Sequence, residues 1–106
     1  MPNYIREKDI EDYLRNRIRE IGGKAYKWVS PGNSGVPDRL VFLPNGRIIP
    51  IELKAPGREP TQLQLKKHAE LKSLGVEVYV IDTKEKVDGF IEYCKECIDK
   101  NEIHTS

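Results

Sequence analysis

The chain has 106 residues, of which 38% are hydrophobic and 33% charged, and its mean hydropathy is -0.61. These values describe a charge-rich globular protein with one modest core, and they exclude intrinsic disorder. Eighteen Lys and Arg residues against seventeen Asp and Glu give a formal net charge of +1, so nucleic-acid binding would need a local basic patch. Without an apolar membrane span or signal-peptide core, we expect a cytoplasmic single domain over residues 1–106, with a frayed tail over residues 99–106.

The first half of the chain predicts one helix and three strands. Apolar residues recur at three- and four-residue steps between Ile5 and Ile21, which is the period of an amphipathic helix. A short strand over Ala25–Val29 is followed by a loop over Ser30–Gly35 that is rich in Gly, Pro, Asn and Ser. The runs Asp38–Leu43 and Arg47–Lys54 predict a β-hairpin whose three-residue turn ends at Gly46.

The second half predicts helix, strand and helix. Thr61–Leu74 is the first of these helices, with Leu63, Leu65, Ala69, Leu71 and Leu74 as its apolar positions and Gly75 just past its end. Val76–Ile81 reads as a strand, and Asp82 or Thr83 caps a final helix that runs through Ile98. The resulting order, αβββαβα, predicts an α/β domain built on a mixed sheet of about four strands.

Two cysteines, Cys94 and Cys97, form a CxxC in the last predicted helix. A zinc site needs four ligands, and neither His68 nor His104 is placed at ligand spacing. A redox CxxC would follow a strand and open a helix, whereas this one lies late in the helix. We therefore interpret the two thiols as half-buried packing residues.

Counting outward from the hairpin turn places two carboxylates opposite each other. Leu43 pairs with Arg47, which brings Asp38 directly opposite Glu52, and like charges in that position destabilise a sheet. A shared Mg²⁺ would explain the pair, with the backbone carbonyl of Leu53 as a further candidate ligand. Lys54 projects from the same face as Glu52 and could act on an attacking water or on phosphate charge. The alternative is a solvated charge stripe at a strand end.

These residues resemble a known family. Pro37-Asp38 followed by Glu52-Leu53-Lys54 is similar to the motif of the PD-(D/E)XK nuclease superfamily. The fuller stretches Gly35–Leu40 and Ile51–Gly57 resemble the VRR-Nuc (virus-type replication-repair nuclease) family. The resemblance extends over nearly the whole chain and implies a restriction-endonuclease-like domain that hydrolyses phosphodiester bonds.

The resemblance also implies roles for individual residues. Asp38, Glu52 and the Leu53 carbonyl would bind Mg²⁺ or Mn²⁺, and Lys54 would be the catalytic lysine. Gln64 resembles the family's helix glutamine, with Gln62 as the alternative. A first-helix glutamate completes such sites, and the helical wheel does not separate Glu7 from Glu11.

Basic and polar residues around these motifs are the candidates for contact with DNA phosphates. They are Lys24, Lys27, Trp28, Ser30, Asn33, Ser34, Arg39, Arg58, Lys66 and Lys67. Each one alone would be an ordinary surface residue, and only their clustering would make a nucleic-acid surface.

The sequence is therefore interpreted as a metal-dependent, structure-specific DNA endonuclease. The resemblance favours a homodimeric resolvase of Holliday (four-way) junctions that acts in phage or mobile-element DNA replication and repair, with no organic cofactor and no membrane partner. The alternatives are a flap- or end-directed nuclease subunit, a non-catalytic DNA-binding module of the same fold, and a CxxC redox protein.

Overall fold

A computed structural model describes residues 5–100 as three helices and four strands in the predicted order αβββαβα. The helices are α1 (Glu7–Glu20), α2 (Gln62–Ser73) and α3 (Lys84–Asp99). The strands are β1 (Lys24–Lys27), β2 (Arg39–Phe42), β3 (Ile48–Leu53) and β4 (Tyr79–Ile81). The predicted fold class, an α/β domain on a four-stranded mixed sheet, is confirmed.

The sheet has the order β1-β2-β3-β4, with β1, β2 and β3 antiparallel and β4 parallel to β3. The hairpin between β2 and β3 has the predicted turn. The Gly46 amide donates to the Leu43 carbonyl at 2.9 Å, and Gly46 has φ 89°. Arg39 pairs with Ile51 in this register. One further step along both strands sets Asp38 opposite Glu52, as counted from the sequence.

One face of the sheet carries the hydrophobic core. Side chains alternate along a strand, so Ile49, Ile51 and Leu53 of β3 are buried on one face while Glu52 projects from the other. Helices α1 and α3 cover the core face with buried residues at helical spacing, namely Ile10, Leu14 and Ile18 of α1 and Val87, Phe90, Ile91 and Cys94 of α3. The strand that builds the core therefore also presents Glu52 to the opposite side.

Helix α3 confirms the interpretation of the two cysteines. The Thr83 hydroxyl caps the helix by accepting from the Lys86 amide at 3.0 Å. Cys94 and Cys97 are both free thiols, and burial raises the pKa of Cys94 to about 12, which makes it an unreactive packing residue. The helix continues through Asp99 and ends at its C-cap Lys100, whereas residues 101–106 of the predicted tail, including His104, lie outside the described residues.

Two details differ from the sequence-based expectations. Strand β4 begins at Tyr79 rather than Val76, because it pairs only with Ile51–Leu53 at the end of β3. Helix α2 has its Thr61 cap, but no residue of Gln62–Ser73 is fully buried. The apolar positions of α2 follow one another at steps of two, four, two and three residues, so they spread around the helix instead of forming one stripe.

Within residues 5–100, none of the helices has the length and apolar character needed to cross a membrane.

The loop before β2 holds α2 through a close backbone approach at Gly35. This residue has φ 86°, and a Cβ built on it would lie 2.8 Å from the Leu63 carbonyl oxygen in the first turn of α2. Gly32 has a nearly identical φ of 83°, but a Cβ there would have no neighbour within 4 Å in the described part of the chain. Both glycines have a left-handed backbone, but only Gly35 also has a close steric contact. Alanine variants at the two positions therefore distinguish the cost of backbone strain from the cost of steric contact.

We predict that Gly35→Ala destabilises the protein clearly more than Gly32→Ala. Left-handed backbone strain costs an alanine about 1–2 kcal/mol at either position. Only at Gly35 must the Leu63 backbone also move, which should add on the order of 1–3 kcal/mol, as overpacking does. Urea unfolding of both variants measures the difference. Equal losses of stability would show that the loop does not rest on the backbone of α2.

Candidate active site

Asp38 and Glu52 meet where β2 and β3 end, on the face of the sheet opposite the core. The Asp38 carbonyl accepts from the Trp28 amide at 2.9 Å, and the Asp38 Oδ2 accepts from the Leu53 amide at 2.8 Å. The amide and carbonyl of one residue in an extended strand point to the same side, so the Leu53 carbonyl also faces Asp38. Two carboxylates and one main-chain oxygen thus come together at this strand end.

Glu52 is fully buried and each of its oxygens has partners. Its Oε2 accepts from Gln64 Nε2 at 2.9 Å and lies 3.7 Å from the Lys54 ammonium. Its Oε1 lies 3.2 Å from His68 Nε2. Lys54 is itself only 14% exposed, so the pair is not the solvated charge stripe considered as the alternative. Glu52 is a buried carboxyl group with three polar neighbours.

Burial and like charge both act on Glu52. Burial is the largest cause that raises its pKa, followed by the negative charge of Asp38 and a hydrogen bond between the two carboxyl groups. Lys54 opposes this shift, and the resulting pKa of Glu52 is about 8. The site therefore holds a proton at neutral pH, in the place where a cation would otherwise balance the charge.

The structure distinguishes the two candidate glutamates of α1. Glu7 lies at the solvent-exposed rim, and its pKa is raised by partial burial and then by the charge of Asp38, while Lys54 lowers it. Glu11 instead forms an ion pair with Arg39 at 2.7 Å. Glu7 lines a cavity together with Lys54, whereas Glu11 makes a different contact one turn later.

Helix α2 contributes Gln64 and also His68, which the sequence analysis did not select. Gln64 completes a capping box with Thr61, since its Oε1 accepts from the Thr61 amide at 2.9 Å, and this fixes the amide that reaches Glu52. Gln62 makes no such contact. His68 follows Gln64 by four residues, which places both on one helix face, and this spacing was the available signal. Burial, and then the charge of Lys54, lower the pKa of His68, so its imidazole is neutral at pH 7.

The donor set fits a hard divalent cation. No group of three or more His, Cys, Asp and Glu side chains is gathered at metal-binding spacing within residues 5–100, which disfavours a zinc-type cage. Magnesium instead uses one or two carboxylates and retains several waters. Asp38, Glu52 and the Leu53 carbonyl supply such a set, and the like charge of Asp38 is one of the causes that raise the pKa of Glu52.

The predicted DNA-contact residues fall into separate places. Four of them line a groove of about 360 Å³ between α2 and the preceding loop, which we call the loop groove; its walls include Asn33, Ser34, Lys66 and Lys67. Arg58 lines a second cavity with Glu7 and Lys54. Lys27 is exposed at the end of β1, and Trp28 beside it is half-buried. The hydroxyl of Ser30 accepts a hydrogen bond from Asn33 at 3.0 Å and so stabilises the loop itself.

Arg39 and Lys24 do not lie beside the Asp38 and Glu52 carboxyl groups. Arg39 was expected to be a surface cation next to Asp38, but its side chain is only 13% exposed and is paired with Glu11. Side chains alternate along a strand, so Arg39 projects from the face of the sheet opposite Asp38. The prediction for Arg39 was wrong because it relied on adjacency in sequence. Lys24 is at the far end of β1, where it pairs with Phe42, and it lines a third cavity together with Arg39.

Comparison with known proteins agrees with this geometry. No protein-family model matches the chain. The chain is 58% identical over 81 residues to the "Putative nuclease p44" of Acyrthosiphon pisum secondary endosymbiont phage 1, an alignment that covers 76% of this chain and 87% of that protein. A solved structure described as a VRR_NUC domain has a TM-score of 0.76 and 34% identity over 81% of this chain and 94% of that one.

Fold, register and the cluster around Glu52 together define a nuclease. The mixed sheet sets an aspartate opposite the Glu-x-Lys segment of the neighbouring strand, and a helix supplies a glutamine to the same glutamate. The chain belongs to the VRR-Nuc family.

We predict that the metal-free protein loses stability as the pH rises from about 4.5 to about 8. The folded protein keeps the Glu52 proton until pH about 8, whereas the unfolded chain releases it near 4.5, so the free energy of unfolding falls between these values. The limiting slope is about 1.4 kcal/mol per pH unit. Urea unfolding in EDTA at several pH values should show this slope, and Glu52→Gln should flatten it.

An exposed glutamate provides the matched control. Glu96→Gln on α3 removes the same charge at the surface and should keep the wild-type pH profile. If the wild-type profile were flat, or if Glu96→Gln flattened it equally, the buried Glu52 carboxyl would not be the titrating group.

Proposed function

We propose that this nuclease is a DNA endonuclease that requires Mg²⁺ or Mn²⁺ and hydrolyses phosphodiester bonds. One observation carries the proposal: the Asp38 and Glu52 carboxylates share a strand end with the Lys54 ammonium beside them. A structural ion pair would need no second carboxylate. The similarity to a phage protein named as a nuclease supports a role in phage or mobile-element DNA replication and repair.

Asp38, Glu52 and the Leu53 carbonyl would hold the metal, with Glu7 at the rim. When bound, the cation supplies Lewis-acid stabilisation of phosphate charge and makes water more acidic. The chain's own residues then have separate tasks. Gln64 and His68 fix both oxygens of Glu52, so the carboxylate is oriented before substrate binds.

Lys54 would act on the reacting phosphate. Its ammonium lies at the surface side of Glu52 and lines the open cavity that contains Glu7 and Arg58. During hydrolysis the water oxygen bonds to phosphorus in line with the P–O bond that breaks, and negative charge increases on the phosphoryl oxygens. A positioned ammonium stabilises that charge in the transition state more than in the ground state.

The loop groove is suited to bind the DNA backbone next to this site. Lys66 supplies positive charge, Lys67 is paired at 3.2 Å with Glu70 of the same groove, and Asn33 and Ser34 supply side-chain hydrogen-bond donors. The groove adjoins the reacting centre through α2, since Gln64 and His68 of that helix contact Glu52. Binding through phosphates is independent of sequence and weakens with salt.

Two variants test the catalytic assignment. Asp38→Asn should abolish metal-dependent cleavage, yet the protein should remain folded or become slightly more stable, since an amide oxygen can still accept from Leu53 and the like-charge repulsion is gone. Lys54→Ala should lower turnover by about 10²–10³-fold with little change in the DNA dissociation constant measured in Ca²⁺. Cleavage rates, binding isotherms and thermal melts measure these effects.

Each outcome has a distinct meaning. If Asp38→Asn cleaved DNA normally, or unfolded in the absence of metal, Asp38 would be a structural residue. If Lys54→Ala lost binding in proportion to rate, Lys54 would position phosphate rather than stabilise the transition state. Glu52→Ala that loses cleavage but keeps DNA binding separates an enzyme from a binding module, and cleavage by Cys94→Ser excludes redox chemistry.

We further propose that the protein acts as a homodimer on four-way DNA junctions. A chain of this size presents one site and cannot enclose a branched substrate alone. Large apolar side chains exposed on α2 and on the outer face of the sheet would be covered by a second copy. They are Leu65 and Leu74 of the helix region and Ile48 of the sheet.

We expect light scattering at micromolar concentration to give a molar mass near twice 12.2 kDa. On a four-way junction, the dimer should make paired nicks on opposing strands. Duplex, flap, splayed and four-way substrates assayed in Mg²⁺ and Mn²⁺ provide the comparison. A monomer that nicks one strand would contradict the junction assignment and favour a flap- or end-directed nuclease.

A further inference from the structure

A second basic site lies on the other face of the sheet, between α1 and the edge strand β1. It is a cavity of about 220 Å³, which we call the edge cavity, and its lining includes the four cationic residues Arg15, Arg19, Lys24 and Arg39. The lining contains no acidic residue. Neither the catalytic chemistry nor the loop groove uses these arginines.

The arginines follow the catalytic rim along one stripe of α1. Glu7, Glu11, Arg15 and Arg19 are spaced four residues apart, so they lie on neighbouring turns of the same side of the helix. At 1.5 Å per residue, Arg15 and Arg19 lie about 12 and about 18 Å along the helix axis from Glu7. Nucleotides rise about 3.4 Å per step, so this spacing corresponds to roughly four and five nucleotides.

Arg39 forms the inner wall of the edge cavity. One terminal nitrogen is paired with Glu11 at 2.7 Å, and the other is 3.4 Å from the Ala25 carbonyl. These two contacts hold the guanidinium in place, so Arg39 shapes the cavity while the exposed arginines of α1 supply its positive charge.

The geometry points to the edge cavity as a binding site for backbone phosphates of the nucleic-acid substrate, four to five nucleotides from the bond that is cut. This inference rests on the proposed function for the identity of the substrate. Arg15 and Arg19 are exposed and supply charge to passing phosphates, with Arg15 exchanging its surface ion pair with Asp12 at 3.6 Å for a phosphate, while Arg39 closes the inner wall. The substrate would then be held by the loop groove on the face of the reacting centre and by the edge cavity at the β1 edge of the sheet.

The double variant Arg15→Gln with Arg19→Gln tests this site. Its affinity for a duplex of about 20 base pairs, measured in Ca²⁺, should fall about 10- to 100-fold, and the slope of log K against log salt should decrease by about 1.8. Arg15→Lys with Arg19→Lys should restore most of the slope, because lysine also binds phosphate as a point charge. The matched control, Lys95→Gln with Lys100→Gln, removes two exposed charges from α3 and should behave as wild type.

The outcomes separate this inference from the proposed function. The arginine variant could bind the duplex with the wild-type affinity and salt slope while Asp38→Asn still abolishes cleavage. That result would overturn the inference about the edge cavity, and the nuclease assignment would stand. If duplex binding depended on Arg15 and Arg19 but the Asp38→Asn variant still cleaved DNA, the catalytic assignment of Asp38 would be wrong and the inference about the edge cavity would stand. If the variant lost calorimetric binding of tripolyphosphate but not of duplex, the cavity would take a free phosphate compound, which also overturns the inference.

Discussion

The buried carboxylate of Glu52 is the constraint around which this site is arranged. Taking a carboxylate out of water is costly unless hydrogen bonds and opposite charge compensate, and the nearest acidic neighbour, Asp38, makes the cost larger. Gln64, His68 and Lys54 supply the compensation from a helix and from the same strand. The hydrogen bonds and charges of the site are balanced when Glu52 carries a proton or when a further positive charge is present.

Helix α2 depends on the same carboxylate. It has no fully buried residue within Gln62–Ser73, so the apolar burial that normally fixes a helix to a sheet contributes little here. Two hydrogen bonds to Glu52 and the close approach of Gly35 to Leu63 attach it instead. The position of the loop groove, whose lysines are on α2, is therefore linked to the charge and orientation of Glu52.

Local rules explain what could be predicted from sequence. The Pro44–Gly46 turn determines the hairpin register, and that register alone brings Asp38 to Glu52. The same rules failed where partners are distant in the chain. His68 touches a residue sixteen positions away, and Arg39 pairs with the distant Glu11 of α1 instead of lying beside its neighbour Asp38. Choosing Glu7 over Glu11 required the three-dimensional position of Arg39, which no helical wheel contains.

Strand alternation also explains how a destabilising site and a stable core coexist in so short a chain. Ile51 and Leu53 are buried against α1 and α3, while Glu52 between them faces the reacting centre. The core contacts of its two neighbours hold the Glu52 backbone in place, so the charge repulsion with Asp38 cannot be relieved by moving the strand. The repulsion can instead be relieved by a proton or a cation. A rigid core strand thus converts an unfavourable carboxylate pair into affinity for positive charge at one fixed point.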